Sequence, residues 1–240
     1  MNTFNIHTGR LLRLFGAATL LLIFLGIISA FIRANYDIQY IFRSVDMFDL
    51  NHENNIPTWY ASVGFISCAL GAFLISRVPP QLSQSFQWKS LAVIFLLMSL
   101  DETASLHEYG ASLMKGQFEF KGYWYFAWVL PGIVLIFGGL VYFFRFWLQL
   151  PGRFRGTLAL GAVVFFSGSV GMELLGGKLI ENSNYDSPAY IMLTLTEETM
   201  ELSGLWLFQY SLFNLLAVFG FRQSMVALGE NKNPSAIKVE

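Results

Sequence analysis

Cysteine is almost missing. Cys68 is the only one in 240 residues, so no intrachain disulfide frames the fold and a secreted disulfide scaffold is excluded. Charge is scarce as well: Asp, Glu, Lys and Arg make up 13% of the chain, about half the roughly 25% of a soluble domain. Neither sign dominates. Fifteen Lys and Arg face 16 Asp and Glu, for a net charge of -1, which gives no electrostatic footprint for nucleic acid as a partner. Internal repeats and low-complexity tracts are lacking too, and the high apolar content argues against a disordered chain.

What fills the chain is hydrophobic sequence, 55% of residues, with 17% aromatic. Apolar runs of about 20 residues recur along its length, each able to cross a hydrocarbon core about 30 Å thick. These runs predict an all-α integral membrane protein, a six-helix transmembrane bundle with spans at 11–32, 57–77, 88–113, 122–147, 156–179 and 189–221. The first run exceeds the 7–15 residues of a signal-peptide core and lacks a good cleavage pattern, so it reads as a span. Pro131 lies inside the fourth and predicts a kink. Cys68, within the second, reads as a small buried hydrophobe.

Basic residues orient the bundle. Arg10, Arg13, Arg77, Lys89, Arg145, Arg153 and Arg155 flank one set of span ends, and Arg222, Lys232 and Lys238 follow the last span. The positive-inside rule places these on the cytoplasmic side and both termini with them. Residues 1–222 then form one transmembrane domain and 223–240 a cytoplasmic tail whose last residues, 230–240, read as disordered. Loop 33–56 falls on the outer side, where Asp37, Asp46, Asp49 and Glu53 outnumber Arg33 and Arg43. Its apolar residues, among them Tyr36, Ile38, Tyr40, Phe42, Phe48 and Leu50, suit an interfacial helix across the top of the bundle. Segment 78–87, with Pro79 and Pro80, reads as a turn.

Against this apolar background stand acids inside the spans: Asp101, Glu102 and Glu108 in the third, Glu173 in the fifth, and Glu197, Glu198 and Glu201 in the sixth. Charge in mid-bilayer costs several kcal/mol, so such residues face the bundle interior and mark a functional site by default. Span direction places all seven in the outer, non-cytoplasmic half. At about 100° per residue, Glu197, Glu198 and Glu201 share an arc with Thr194, and Asp101, Ser105 and Glu108 form a stripe. On the same wheel Glu102 lies about 90° to one side of that stripe and His107 about 130° to the other. The nearest basic residue within these spans is Lys178, beyond Glu173. Gly168, Gly171, Gly176 and Gly177 allow close helix approach that brings Glu173 to its neighbours.

Like charges in a low dielectric take up protons or bind a cation. An oxygen-rich set suits a hard divalent ion, so the expected cofactor is an ion or ion pair of Mn, Fe, Ca, Mg or Zn. Glu102, Glu173, Glu198 and Glu201 are the expected metal ligands, His107 a ligand or proton shuttle, and Asp101 or Glu197 the base beside the metal. With three histidines and no Glu-x-x-His, the histidine-box membrane oxidases are excluded. The resulting expectation is a membrane-embedded metal-binding protein, with catalysis on an amphiphilic or lipid substrate near the outer leaflet of an inner or plasma membrane. Two further readings are a non-catalytic subunit with membrane-protein partners, and a proton or cation transporter. The last is weakened by the absence of an evident inverted repeat or broken helix pair.

Overall fold

The computed structural model describes residues 8–35, 45–78, 84–185 and 187–227. The expectations for Tyr36, Asp37, Ile38, Tyr40, Phe42 and Arg43, for the turn at Pro79 and Pro80, and for the tail from 228 onward lie outside these residues, as does His7. Among the described residues every regular element is helical. The helices are α1 (Thr8–Asn35), α2 (Ile56–Ser76), α3 (Ser85–Ala104), α4 (Leu106–Lys115), α5 (Val129–Gln149), α6 (Gly152–Phe166), α7 (Glu173–Ile180) and α8 (Pro188–Ala227). A π-helical segment, Ser167–Met172, joins α6 to α7, and a 3₁₀ turn, Gly122–Trp124, precedes α5.

Five helical stretches are long and apolar enough to cross a membrane, and six if α3 and α4, bent by 69° at their junction, count as one span. The apolar runs therefore found the bundle, but two details differ. The helix expected over 88–113 is broken between α3 and α4, so a broken element missing from the sequence reading is present. Pro131 makes no kink, because α5 starts at Val129 and the proline falls in its first turn, where the missing N–H would have no helical partner anyway.

Helix α8 is the hub, packing against α1, α2 and α6, while α2 lies along α3. Between them sits a core that includes Phe65, Ala72, Trp88, Phe95, Phe165 and Leu212. Cys68 is fully buried within it, as a small hydrophobe should be. The α6–α8 contact is close because Gly204 lies directly against the Phe165 backbone; a Cβ there would fall 2.7 Å from Phe165 N. Helix α5 is different, with Val134, Leu135, Phe137 and Val141 all exposed along it. In a bilayer such a surface meets lipid.

The connection between α1 and α2 is not a long interfacial helix over its described part. Val45 and Asp46 are helical, and residues 47–55 form turns and bends. Leu50 is buried against Gly26 of α1, and Arg33 forms an ion pair with Asp49 that fastens the segment to the same helix. Asn55 then caps α2: its side chain accepts from Thr58 N at 3.1 Å and donates to Asp49 O at 2.6 Å and Asp46 O at 3.2 Å. Asn55→Ala removes the cap and two loop bonds together and is expected to cost about 1–2 kcal/mol. A thermal melt in detergent checks this; an unchanged midpoint would show that the cap is dispensable.

Candidate metal centre

The break between α3 and α4 is built around one carboxylate. Ser105 adopts a left-handed conformation, φ 49° and ψ 43°, at a cost of roughly 1–2 kcal/mol for a residue with a Cβ. The turn is held by Asp101. Its Oδ1 accepts the backbone N–H of His107 at 2.8 Å, and its Oδ2 lies 3.0 Å from His107 Nδ1. A carboxylate thus satisfies an otherwise orphaned N–H at the positive end of α4. In the neutral ring the same contact favours the tautomer with its proton on Nδ1, which leaves Nε2 with a free lone pair. The ring lies edge-on to Trp128, with centroids 5.1 Å apart.

This corrects the single-helix geometry expected for 88–113. The wheel sets His107 far from Asp101, whereas the left-handed residue between them turns the chain back and joins them. The stripe of Asp101, Ser105 and Glu108 is broken at the same residue.

Two acids meet the histidine. Glu53 comes from the turns before α2, Glu108 from the first turn of α4, and ligand atoms of Glu53, His107 and Glu108 all lie within 4.8 Å of one another. Partial burial, then the Glu108 charge, push the Glu53 carboxyl above its ordinary range, while His107 pulls it the other way. Asp46, Asp49 and His52 form a second group of the same compactness. Its central carboxylate is already engaged, since Asp49 pairs with Arg33 through Oδ2 and accepts Asn51 N at 3.0 Å through Oδ1. That group fastens the loop to α1, and the better candidate centre is the one at His107.

Deeper in the bundle, Glu102 of α3 and Glu198 and Glu201 of α8 line one cavity of about 10 Å³, room for about one water or ion. Its remaining wall is apolar, with Phe65, Phe165 and Leu205 among the residues that form it. Gly168 of the π-helical segment makes the approach possible, because a Cβ there would meet Glu197 O at 2.9 Å and Glu201 Cγ at 3.1 Å. Gly176 and Gly177 are also close-packed, against Leu193 and the Gly122 carbonyl, whereas Gly171 faces open space.

Glu173 begins α7 directly after the π-helical segment. It lies within electrostatic range of His107, Glu108 and Lys115 on one side, and of Glu197, Glu198 and Glu201 on the other. Its Oε2 is buried without a hydrogen bond, as is the indole Nε1 of neighbouring Trp128.

The fold therefore brings Asp101 to His107, gathers Glu102, Glu198 and Glu201 at one cavity, and leaves Glu173 and Glu197 beside them. Among the described residues, no trio drawn from Glu102, Glu173, Glu198 and Glu201 is as compact as the group at His107. The basic neighbour is Lys115, whose ammonium sits 3.9 Å over the Tyr125 ring, rather than Lys178. Lys178 is exposed and donates to Glu181 Oε2 at 2.6 Å, which holds the Glu181 carboxyl below its usual range. Sequence reasoning missed Glu53 as a site residue. The signal was present: Glu53 stands two residues before Asn55, and Asn55 with Pro57 marks a helix start. That start places Glu53 at the mouth of a span.

No curated protein and no solved structure matches the chain. A family match covers residues 13–215, most of the sequence. The chain belongs to that family, described as Domain of unknown function (DUF8692).

Proposed function

We propose that this is a membrane-embedded metalloprotein that holds a divalent cation between Glu53, His107 and Glu108 and uses it on an amphiphilic or lipid substrate in the outer leaflet. The observation that carries the reading is the Asp101–His107 contact. A carboxylate hydrogen-bonded to the ring of a histidine whose ligand atom lies within 4.8 Å of two further carboxylates is the usual outer partner of a metal-bound histidine. One imidazole with two carboxylates suits Mn, Fe or Zn better than Ca or Mg, which prefer oxygen alone. A cation there acidifies its bound water and polarises a substrate oxygen. Asp101 is occupied in positioning His107, which leaves Glu197 as the candidate base.

The substrate class follows from what surrounds the turn. Leu100, Leu106, Tyr109 and Leu113 are exposed around the acidic group, so a ligand reaching His107 passes over apolar surface with its polar end toward the ion. In this reading residues 1–222 are one domain of six spans, α3 and α4 forming the third. The basic span ends and both termini are cytoplasmic, and the centre lies on the outer side of an inner or plasma membrane. A second reading, an integral subunit of a larger assembly, is favoured by the nearly unpartnered α5.

The test is elemental analysis of protein purified in detergent without added metal or chelator, comparing wild type with Glu53→Gln and Glu108→Gln. Each variant is expected to lose most of a near-stoichiometric metal; equal occupancy in all three sinks the assignment. The pH dependence has a definite sign. Protons compete with the cation for Glu53, so occupancy falls as pH drops through its raised pKa, at a higher pH than an ordinary carboxylate would give. Without metal the sign reverses: a raised carboxyl pKa contributes stability at low pH that is lost as pH rises through it.

A further inference from the structure

We propose that α4 is an interfacial helix, lying along the membrane boundary with Leu106, Tyr109 and Leu113 against lipid acyl chains and Glu108, Ser112 and Lys115 in water. The 20 residues of α3 extend about 30 Å at 1.5 Å each, the thickness of a hydrocarbon core. Helix α4 turns 69° from that direction, so its 10 residues add only about 5 Å to the crossing. Most of its length runs sideways.

The helix has three faces. Ala111 is buried, with half-buried His107 and Met114 beside it, and this face meets the bundle. Leu106, Tyr109 and Leu113 form a stripe that is 47%, 65% and 57% exposed, at the spacing that puts side chains on one side of a helix. Glu108, Ser112 and Lys115 form a second exposed stripe. No single medium suits both stripes, because hydrocarbon penalises the two charges and water penalises the three large apolar side chains. A boundary between the two suits both.

Two observations place that boundary at α4. Helix α3 reaches the bend with Val93, Leu96, Leu97 and Leu100 exposed, so the apolar stripe takes up a surface that already meets lipid. Just beyond α4, Phe118, Tyr123 and Trp124 are exposed, and Tyr and Trp are enriched at headgroup level. The helix is also braced at both ends: Asp101 holds His107 at the bend, and the Lys115 ammonium sits 3.9 Å over the Tyr125 ring at the other end. His107 belongs to this helix, so its ring is held at the boundary whatever it binds, and the proposal does not depend on a metal.

Depth measurement by spin labelling tests this in the full chain, reconstituted in phosphatidylcholine vesicles. Fully buried Cys68 is removed as Cys68→Ala, and Leu106→Cys, Glu108→Cys, Tyr109→Cys, Ser112→Cys and Leu113→Cys each receive a nitroxide. Collisions with oxygen, which concentrates in the bilayer, are compared with collisions with a water-soluble nickel chelate. Labels at 106, 109 and 113 are expected to favour oxygen, and those at 108 and 112 nickel. Between 106 and 113 the depth should change by about 4 Å, against about 10 Å if the helix ran straight across the membrane. If Leu106→Cys does not fold, 109 and 113 decide, with about 2 Å expected against about 6 Å. The larger change overturns the proposal. So does a preference for nickel at all five positions, which would put α4 in water, and so does shielding of 106, 109 and 113 from both reagents, which would mean that a second protein surface covers the stripe.

Discussion

Asp101→Asn is expected to leave the bundle folded and to weaken cation binding at the proposed Glu53–His107–Glu108 centre by about 10–100-fold. The Asn carbonyl can still accept the His107 backbone N–H, so the turn at Ser105 survives. Its amide, however, donates toward Nδ1 where the carboxylate accepted. The neutral imidazole must then carry its proton on Nε2, turning that nitrogen from a free lone pair into a donor. His107→Ala, by contrast, removes the nitrogen outright and is expected to abolish binding there. Titration of stripped protein with Mn²⁺ compares the two, and an Asp101→Asn affinity equal to wild type would mean that the carboxylate serves only the turn.

Gly204→Val should have the largest effect on the fold. The contact a Cβ would meet at 2.7 Å is the Phe165 backbone, not the end of a flexible side chain. Overpacking of a well-filled interior costs about 1–3 kcal/mol and sometimes more, and here relief requires α6 to withdraw from α8. Withdrawal would also pull Gly168 from Glu197 and Glu201. The expected result is a loss of monodisperse protein in detergent, or a melting midpoint several degrees lower. Gly139→Val on α5 is the control, since nothing lies within 4 Å of a Cβ there. If both variants behave alike, the close α6–α8 contact does not limit stability.

The helices were legible because lipid imposes a length and a composition on each span, and the acids within them stood out because charge is rare in an apolar run. The arrangement at His107 was not. Residues 101–107 contain neither Pro nor Gly, so nothing local announces that Ser105 turns left-handed. The conformation persists because Asp101 binds the far side of the turn, and a helical wheel drawn through an unmarked break sets partners apart. Pro131 misled in the opposite direction: its effect depends on whether it lies inside a helix or in the first turn, and only the start at Val129 decides that. Glu53 was read as loop charge because its meaning rests on Arg33 and Leu50 fastening that loop to α1.

The π-helical segment Ser167–Met172 gives Glu173 a kind of control that no side chain supplies. In such a segment the chain holds one residue more per turn than the regular helix on either side. The direction in which Glu173 points is thus set by how many residues precede it, not by which ones. Removing a single residue there would let α6 and α7 fuse into an ordinary helix and swing everything downstream by about 100°, carrying the carboxylate away from His107 and from the α8 acids while every acid remained encoded. The position of Glu173 in this chain is thus exposed to changes of length as much as to changes of identity.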